Sequence, residues 1–412
     1  MSKTIAILAT LDTKAAEADF MRQELERLGG QALIVDLGLI GDGGAVRADV
    51  TNAEVAAAGG RSLADLRHQP SRQEASPVLI AGASKILLER IAAETLHGVV
   101  ALGGTQGTSN GSQILQALPY GFPKVMLSTV AAGDTRPFVG IKDITMMFSV
   151  SDILGLNPFA RRILANAAAA AWGMAQVEHD PGRTEGVKGV IGMSNLGVLT
   201  RGAMHAIERF HQAGYEVITF HAIGAGGDAM EQMMREGLID GVFDYALGEI
   251  ADGVFGVLRA GGPERLTTAG KLGLPQVVCP GGSEHLGILL QEPNTVPAKW
   301  AQHQQTFHNP FVFVPRPSAE EQDRIAGTIG ERLAHAREKT LFLMPLHGVS
   351  RYSAKGGELY NPELDEAYWQ SLQRHLPKHI EVRALEANAE DPVFVDAAVD
   401  ALVAMLSKEH WA

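Results

Sequence analysis

Cysteine is nearly absent: Cys279 is the only one among 412 residues. An intramolecular disulfide is thereby excluded, and a reducing, cytoplasmic setting is expected. No apolar run reaches membrane-spanning length. The N-terminal run from Ile5 to Leu11 ends at Asp12 and lacks the charged leader and small-residue cleavage site of a signal peptide. Positive charge is in deficit, with 35 Lys and Arg against 47 Asp and Glu. The net charge of −12 would repel the phosphates of a nucleic acid. Neither HExxH nor CxxC spacing occurs, so there is no local zinc motif, and no Gly-Lys-Ser or Gly-Lys-Thr, so there is no P-loop. These absences predict a soluble protein with a small-molecule ligand, and neither a membrane nor a nucleic acid as partner.

What remains is ordinary globular composition, 46% hydrophobic and 20% charged, in a chain too long for one domain. The apolar runs Lys3–Ala9, Gln31–Asp36, Gly98–Leu102, Pro123–Ser128 and Ile144–Val150 read as strands, separated by segments of helical spacing. Residues 41–70 break this rhythm and read as a surface excursion with a short helix, a candidate lid or oligomer contact. A long alanine-rich helix follows from Asn157 to Met174. The polar break QVEHDPGRTEG, Gln176 to Gly186, marks a domain boundary. Beyond it the pattern restarts with strands at Val187–Met193, Tyr215–His221, Gly241–Tyr245, Gln276–Cys279 and Thr340–Met344. Gly287 to Pro317 reads as a loop carrying His303, His308 and Asn309. The fold class predicted is α/β: two doubly wound, Rossmann-like domains with mainly parallel sheets, over 1–180 and 181–412. No convincing sequence repeat relates the halves.

The centre of the first domain is GVVALGGTQGT, Gly98 to Thr108, a buried strand running into a glycine-rich turn and a helix. Glycines let the backbone approach a ligand, and helix N-terminal amides favour an anion. Gly103, Gly104, Thr105, Gly107 and Thr108 therefore form a candidate phosphate cradle, with a ligand-free tight turn as the alternative. Two further turns fall at strand ends, where open α/β sheets bind ligands. One holds Asp12, Thr13 and Lys14; the other holds Thr129. Lys14 can meet a phosphate as a point charge or stand as a solvated lysine, and Asp12 can hold magnesium through water. Asp36, ending the second strand, is grouped with this site.

In the second domain GAGGDA, from Gly224, matches the dinucleotide pattern G-x-G-x-x-A, with Asp244 twenty residues on. A close-packed helix start is the alternative. Cys279 is either a nucleophile with His285 as base or a small buried hydrophobe. Polar groups recur at strand ends: Ser194 and Asn195, His221, Glu249, Ser283 to His285, and His347. Their convergence would give a crevice with His221 and Glu249 as acid–base or metal pair, His285 and His347 beside them, and Ser194, Asn195 and Ser283 around the substrate. Gly226 and Gly282 would bring backbone amides to an anionic substrate. Alternatively, each side chain satisfies its own loop.

LDTK at Leu11, ALGGTQGT at Ala101 and PKVMLSTVAAG at Pro123 are similar to one known family, as are GMSNLGV at Gly192, HAIGAGGDAME at His221, GEIAD at Gly248 and PLHGVS at Pro345. The family comprises the ATP-binding N-terminal region of the tomato mosaic virus resistance protein and its bacterial relatives. The resemblance runs from about Thr4 to His375, with CPGGSEH at Cys279 as a departure. It implies two Rossmann-like subdomains, ATP bound in the first, and self-association; Mg2+ is expected with the ATP, and the assembly as a homodimer or higher homo-oligomer through 41–70 or the helix around Asn166. In the plant relative a barrel domain follows, so a barrel protein on a separate chain is an expected partner. The plant role in blocking viral replication is not expected to transfer. Three readings stay open: an ATP-binding enzyme of carboxylate or sugar-acid metabolism, a nucleotide-regulated protein-binding subunit without turnover, and an NAD-dependent enzyme using the 224–229 turn.

Overall fold

The protein is described by a computed structural model covering residues 2–41, 44, 46–68, 72–178 and 186–407. It divides into two compact units, Met1–Pro181 and Gly182–Ala412. Each is α/β and built on a parallel sheet, so the chain has the predicted Rossmann-like class. Residues 179–185, in the predicted polar break, and 42, 43, 45 and 69–71, in or beside the predicted excursion, lie outside the described residues.

The N-terminal sheet contains β1 (Thr4–Ala9), β2 (Gln31–Asp36), β3 (Gly98–Gly103), β4 (Lys124–Ser128) and β5 (Thr145–Phe148), in the order β2-β1-β3-β4-β5. All four pairings are parallel. The central strands β3 and β4 are buried along their whole length, as unbroken apolar runs require when helices cover both faces. The register sets Ala9 beside Asp36, and Gly103 beside Ser128. Carboxyl ends of neighbouring strands are therefore level, and the loops that follow share one rim. The excursion contains two short helices, Asn52–Ala58 and Leu63–His68.

The C-terminal unit contains β6 (Val190–Asn195), β7 (Glu216–His221), β8 (Gly241–Ala246), β9 (Gln276–Gly281), β10 (Ile288–Leu289), β11 (Gln305–Asn309), β12 (Val312–Pro315), β13 (Thr340–Pro345) and β14 (Glu381–Leu385). Six of these form a parallel sheet in the order β14-β13-β9-β8-β6-β7. Asn195 sits beside His221, and Ala246 beside Gly281. The remaining three form a small antiparallel sheet, β10-β12-β11, where the sequence predicted only a loop. Phe313 of β12 is fully buried and anchors that sheet to the unit's core.

Candidate functional site

In the N-terminal unit the strand order reverses direction at β1, so the loops after β1 and β3 diverge and leave a crevice between them. A cavity of about 570 Å3 fills this place. One wall is the turn after β1 (Thr10, Asp12, Thr13, Lys14), and another is the cradle Gly103 to Gly107. Leu37, Leu39, Ile40, Ala75 and Leu79 form an apolar side. The helix Thr105–Gln116 begins here, and its N-cap, Gly104, supplies no side-chain acceptor. The first-turn amides are thus left to water or a ligand. The sequence predicted a turn at 11–14; these residues are instead the first turn of a helix, Leu11–Arg27, kinked at Lys14, where φ is −129° and ψ 21°. Among the described residues its ammonium has no ion-pair partner. Asp12 accepts a hydrogen bond from the Ile40 amide at 3.3 Å.

Three residues expected at this site stand apart from the lining. Asp36 is buried, and its Oδ1 accepts from the amides of Leu11 (3.0 Å) and Gly38 (2.8 Å). It joins the loops after β1 and β2 instead of lining the cavity. Burial raises its pKa, against the lowering effect of those two amides. Thr108 is fully buried, with its hydroxyl 2.7 Å from that of Ser128. Thr129 stands beside Gly104 without lining the cavity: a Cβ added to that glycine would meet only Thr129 Oγ1, at 3.9 Å.

In the C-terminal unit two of the expected polar residues, Glu249 and Ser194, are consumed by a buried ionic network. Arg265 has no exposed surface. Its Nη2 donates to Asp244 (2.6 Å), its Nε to Glu249 (2.6 Å), and Glu231 lies 3.5 Å away. Glu249 Oε1 accepts the amides of Gly224 (2.6 Å) and Gly227 (3.0 Å). The candidate dinucleotide turn therefore already holds an anion, supplied by the protein itself. Gly226 answers to packing, since a Cβ there would lie 1.8 Å from the His221 carbonyl oxygen. Asp244, the candidate ribose acid, pairs with Arg265 and accepts from Ser194 Oγ at 2.7 Å. These contacts remove Glu249, Ser194 and Gly226 from substrate duty and leave the nicotinamide reading without a vacant turn.

Other expectations separate in the same way. Ser283 Oγ donates to the Pro280 carbonyl (2.6 Å) and lies 2.8 Å from the Tyr368 hydroxyl, fully buried. Gly282 has φ +67° and packs on Leu196, as the turn after β9 requires. His347 is 60% exposed and pairs with the exposed Glu386 at 2.9 Å. Cys279 is buried in the core, which raises its thiol pKa well above the ordinary value and leaves no reactive thiolate. Asn195 contributes through its backbone: its carbonyl lies 3.4 Å from His221 Nδ1.

Two expected histidines do meet. A cavity of about 360 Å3 beyond the ends of β6, β7 and β9 is lined by His221 and His285, with His308, Arg259, Tyr352 and a ring of aliphatic side chains. Arg259 grips Asp252 through Nη2 (2.8 Å) and Nε (3.0 Å), and its Nη1 reaches His285 Nε2 at 3.1 Å. Glu284, fully buried, lies 3.2 Å from His285 Nδ1 and accepts from the hydroxyls of Ser350 and Ser353. Burial opposes its ionisation, but the His285 imidazole, the Ser350 hydroxyl and the charge of Arg316 outweigh it and hold the carboxyl at about 2. Arg259 and Tyr352 were not singled out from the sequence, and Glu284, within the Ser283 to His285 stretch, was given no role. His308 was expected in a loop; its position on β11 brings it to the cavity. Among the described residues no group of three or more His, Cys, Asp or Glu side chains is arranged to hold a metal, and no helix is long and apolar enough to cross a membrane.

Residues 3–180 match the N-terminal domain, and residues 188–406 the C-terminal domain, of the uncharacterised protein family UPF0261. The chain belongs to this family. A UPF0261 protein of Clostridium tetani is 39% identical over 409 residues, covering 99% of this chain and 100% of its own. The ToMV resistance protein Tm-1(GCR237) of Solanum lycopersicum is 33% identical over 322 residues, covering 77% of this chain but 42% of the tomato protein. The UPF0261 fold also aligns with MurG of Acinetobacter baumannii over 99% of this chain and 100% of that one, at 10% identity. The TM-score of 0.22 is too low to carry an argument.

Proposed function

We propose that the N-terminal unit binds ATP in the cavity between the loops after β1 and β3. The observation that carries this reading is the two-sided character of that cavity. Uncapped amides at the start of Thr105–Gln116, the hydroxyl of Thr13 and the unpaired Lys14 suit a polyphosphate. Leu37, Leu39, Ile40 and Leu79 offer an apolar slot for a base. The resemblance to an ATP-binding region points the same way. Asp12 suits magnesium, which keeps most of its waters and takes one carboxylate beside phosphate oxygens. Bound there, the ion would neutralise phosphate charge.

Calorimetry with Mg-ATP tests the reading. Lys14→Ala should weaken binding by about 1–3 kcal/mol, roughly 5- to 150-fold, the range for charge-assisted hydrogen bonds. Gly104→Val should weaken it further without unfolding the unit. Its backbone, at φ −74° and ψ −160°, accepts any L residue, and the added atoms have room. Unchanged affinity in both variants would defeat the assignment. Measuring ATP consumption alongside separates an enzyme from a nucleotide-regulated binding subunit.

A further inference from the structure

We infer that the cavity at the ends of β6 and β7 is a proton-transfer site for a small carbonyl compound with an apolar body, in which His221 acts as base and His308 as donor to the carbonyl oxygen. The inference is independent of the nucleotide reading. It starts from the state of each imidazole. His221 Nδ1 faces the Asn195 carbonyl at 3.4 Å. A carbonyl can only accept, so the proton of the neutral ring sits on Nδ1 and Nε2 carries a lone pair. His308 Nδ1 lies 3.3 Å from the Tyr352 hydroxyl. With that hydroxyl as donor to His308 Nδ1, for which the described residues offer it no other acceptor, the imidazole proton goes to Nε2. The two exposed rings at the rim thus differ: one offers a lone pair, the other an N–H. His285 stays out of the chemistry, because Arg259 takes one nitrogen and Glu284 faces the other.

A compound with a C–H bond next to a carbonyl uses both groups. His221 Nε2 takes the proton, and the C–H electron pair becomes a C=C bond. The carbonyl π pair moves to oxygen, which accepts from His308 Nε2. Return of the proton completes an exchange or isomerisation with no other reactant. The walls select the body of the ligand. Leu196, Val198, Ile223, Leu258, Val312 and Val314 favour a short branched chain over a polyhydroxylated one. No carboxylate lines the cavity, so an acidic group on the ligand meets no repulsion.

The probe is 4-methyl-2-oxopentanoate in D2O, followed by proton NMR at C3, with 2-oxogluconate as the polyhydroxylated comparison. The wild-type protein should speed loss of the C3 proton signal of the branched acid by about 10²-fold or more, the usual scale for a positioned base. The sugar acid should be unaffected. His221→Gln should return exchange to the buffer rate with an unchanged melting temperature, since the ring is exposed. His308→Phe should slow exchange, and Tyr352→Phe should shift its pH profile by freeing the His308 tautomer. No enhancement with the branched acid, or an undiminished rate in His221→Gln, overturns the proposal. Faster exchange of the sugar acid than of the branched one overturns the substrate class.

Discussion

The two units treat an anion-accepting turn in opposite ways. After β3, the amides that open Thr105–Gln116 have no side-chain cap and face a cavity with an unpaired lysine. After β7, the amides of Gly224 and Gly227 are closed by Glu249, which Arg265 holds in place. Both turns look alike in sequence, since both are glycine-rich and both follow a strand. What separates them is a carboxylate more than twenty residues away. A glycine-rich turn at a helix start therefore does not say whether its amides are open or already closed by the protein's own carboxylate.

The comparison breaks most severely at Arg265. Arg265→Leu strands Asp244, Glu249 and Glu231 in a buried site, and should destabilise the C-terminal unit by about 3–5 kcal/mol, measured by denaturant unfolding. A milder loss would mean that the closed turn stands without its cation. Next comes acid. Glu284 ionises at about 2 in the folded unit against an ordinary 4.5. A depressed carboxyl contributes stability above its unfolded pKa, and that stability is lost as pH falls through the folded value. The contribution is about 3 kcal/mol at neutral pH, disappearing between roughly pH 4.5 and 2. Glu284→Gln should flatten that part of the stability–pH curve, which urea midpoints at several pH values would reveal. The smallest effect is expected at His347. Its pair with Glu386 is solvated on both sides, so His347→Ala should shift stability by less than about 1 kcal/mol and leave the deuterium exchange at His221 unaltered.

The strands were legible because parallel strands buried on both faces need unbroken apolar runs, as in Val99–Leu102 and Val277–Cys279. The tight turn after β3 was legible because Gly103 cannot carry a Cβ: one would lie 2.6 Å from Gly107 Cα. The small sheet β10-β12-β11 was not, because β10 has two residues and β11 is largely exposed, too short and too polar for a period to stand out. Because that sheet was missed, His308 was named only as a loop residue and left out of the predicted crevice. The second site was misjudged for a different reason. A carboxylate at a helix start, such as Glu249, has the same local signature whether it serves a substrate or its own neighbours' amides. The partner that decides, Arg265, sits in a stretch with no motif.

Glu249 is, in effect, a ligand that never dissociates. A free anion fills its turn according to its concentration outside, whereas a tethered one is present at an effective concentration no solution matches. The loop after β7 thus keeps its shape whether metabolites are scarce or plentiful. His221, whose carbonyl packs beneath Gly226, is held by a support that does not vary with supply.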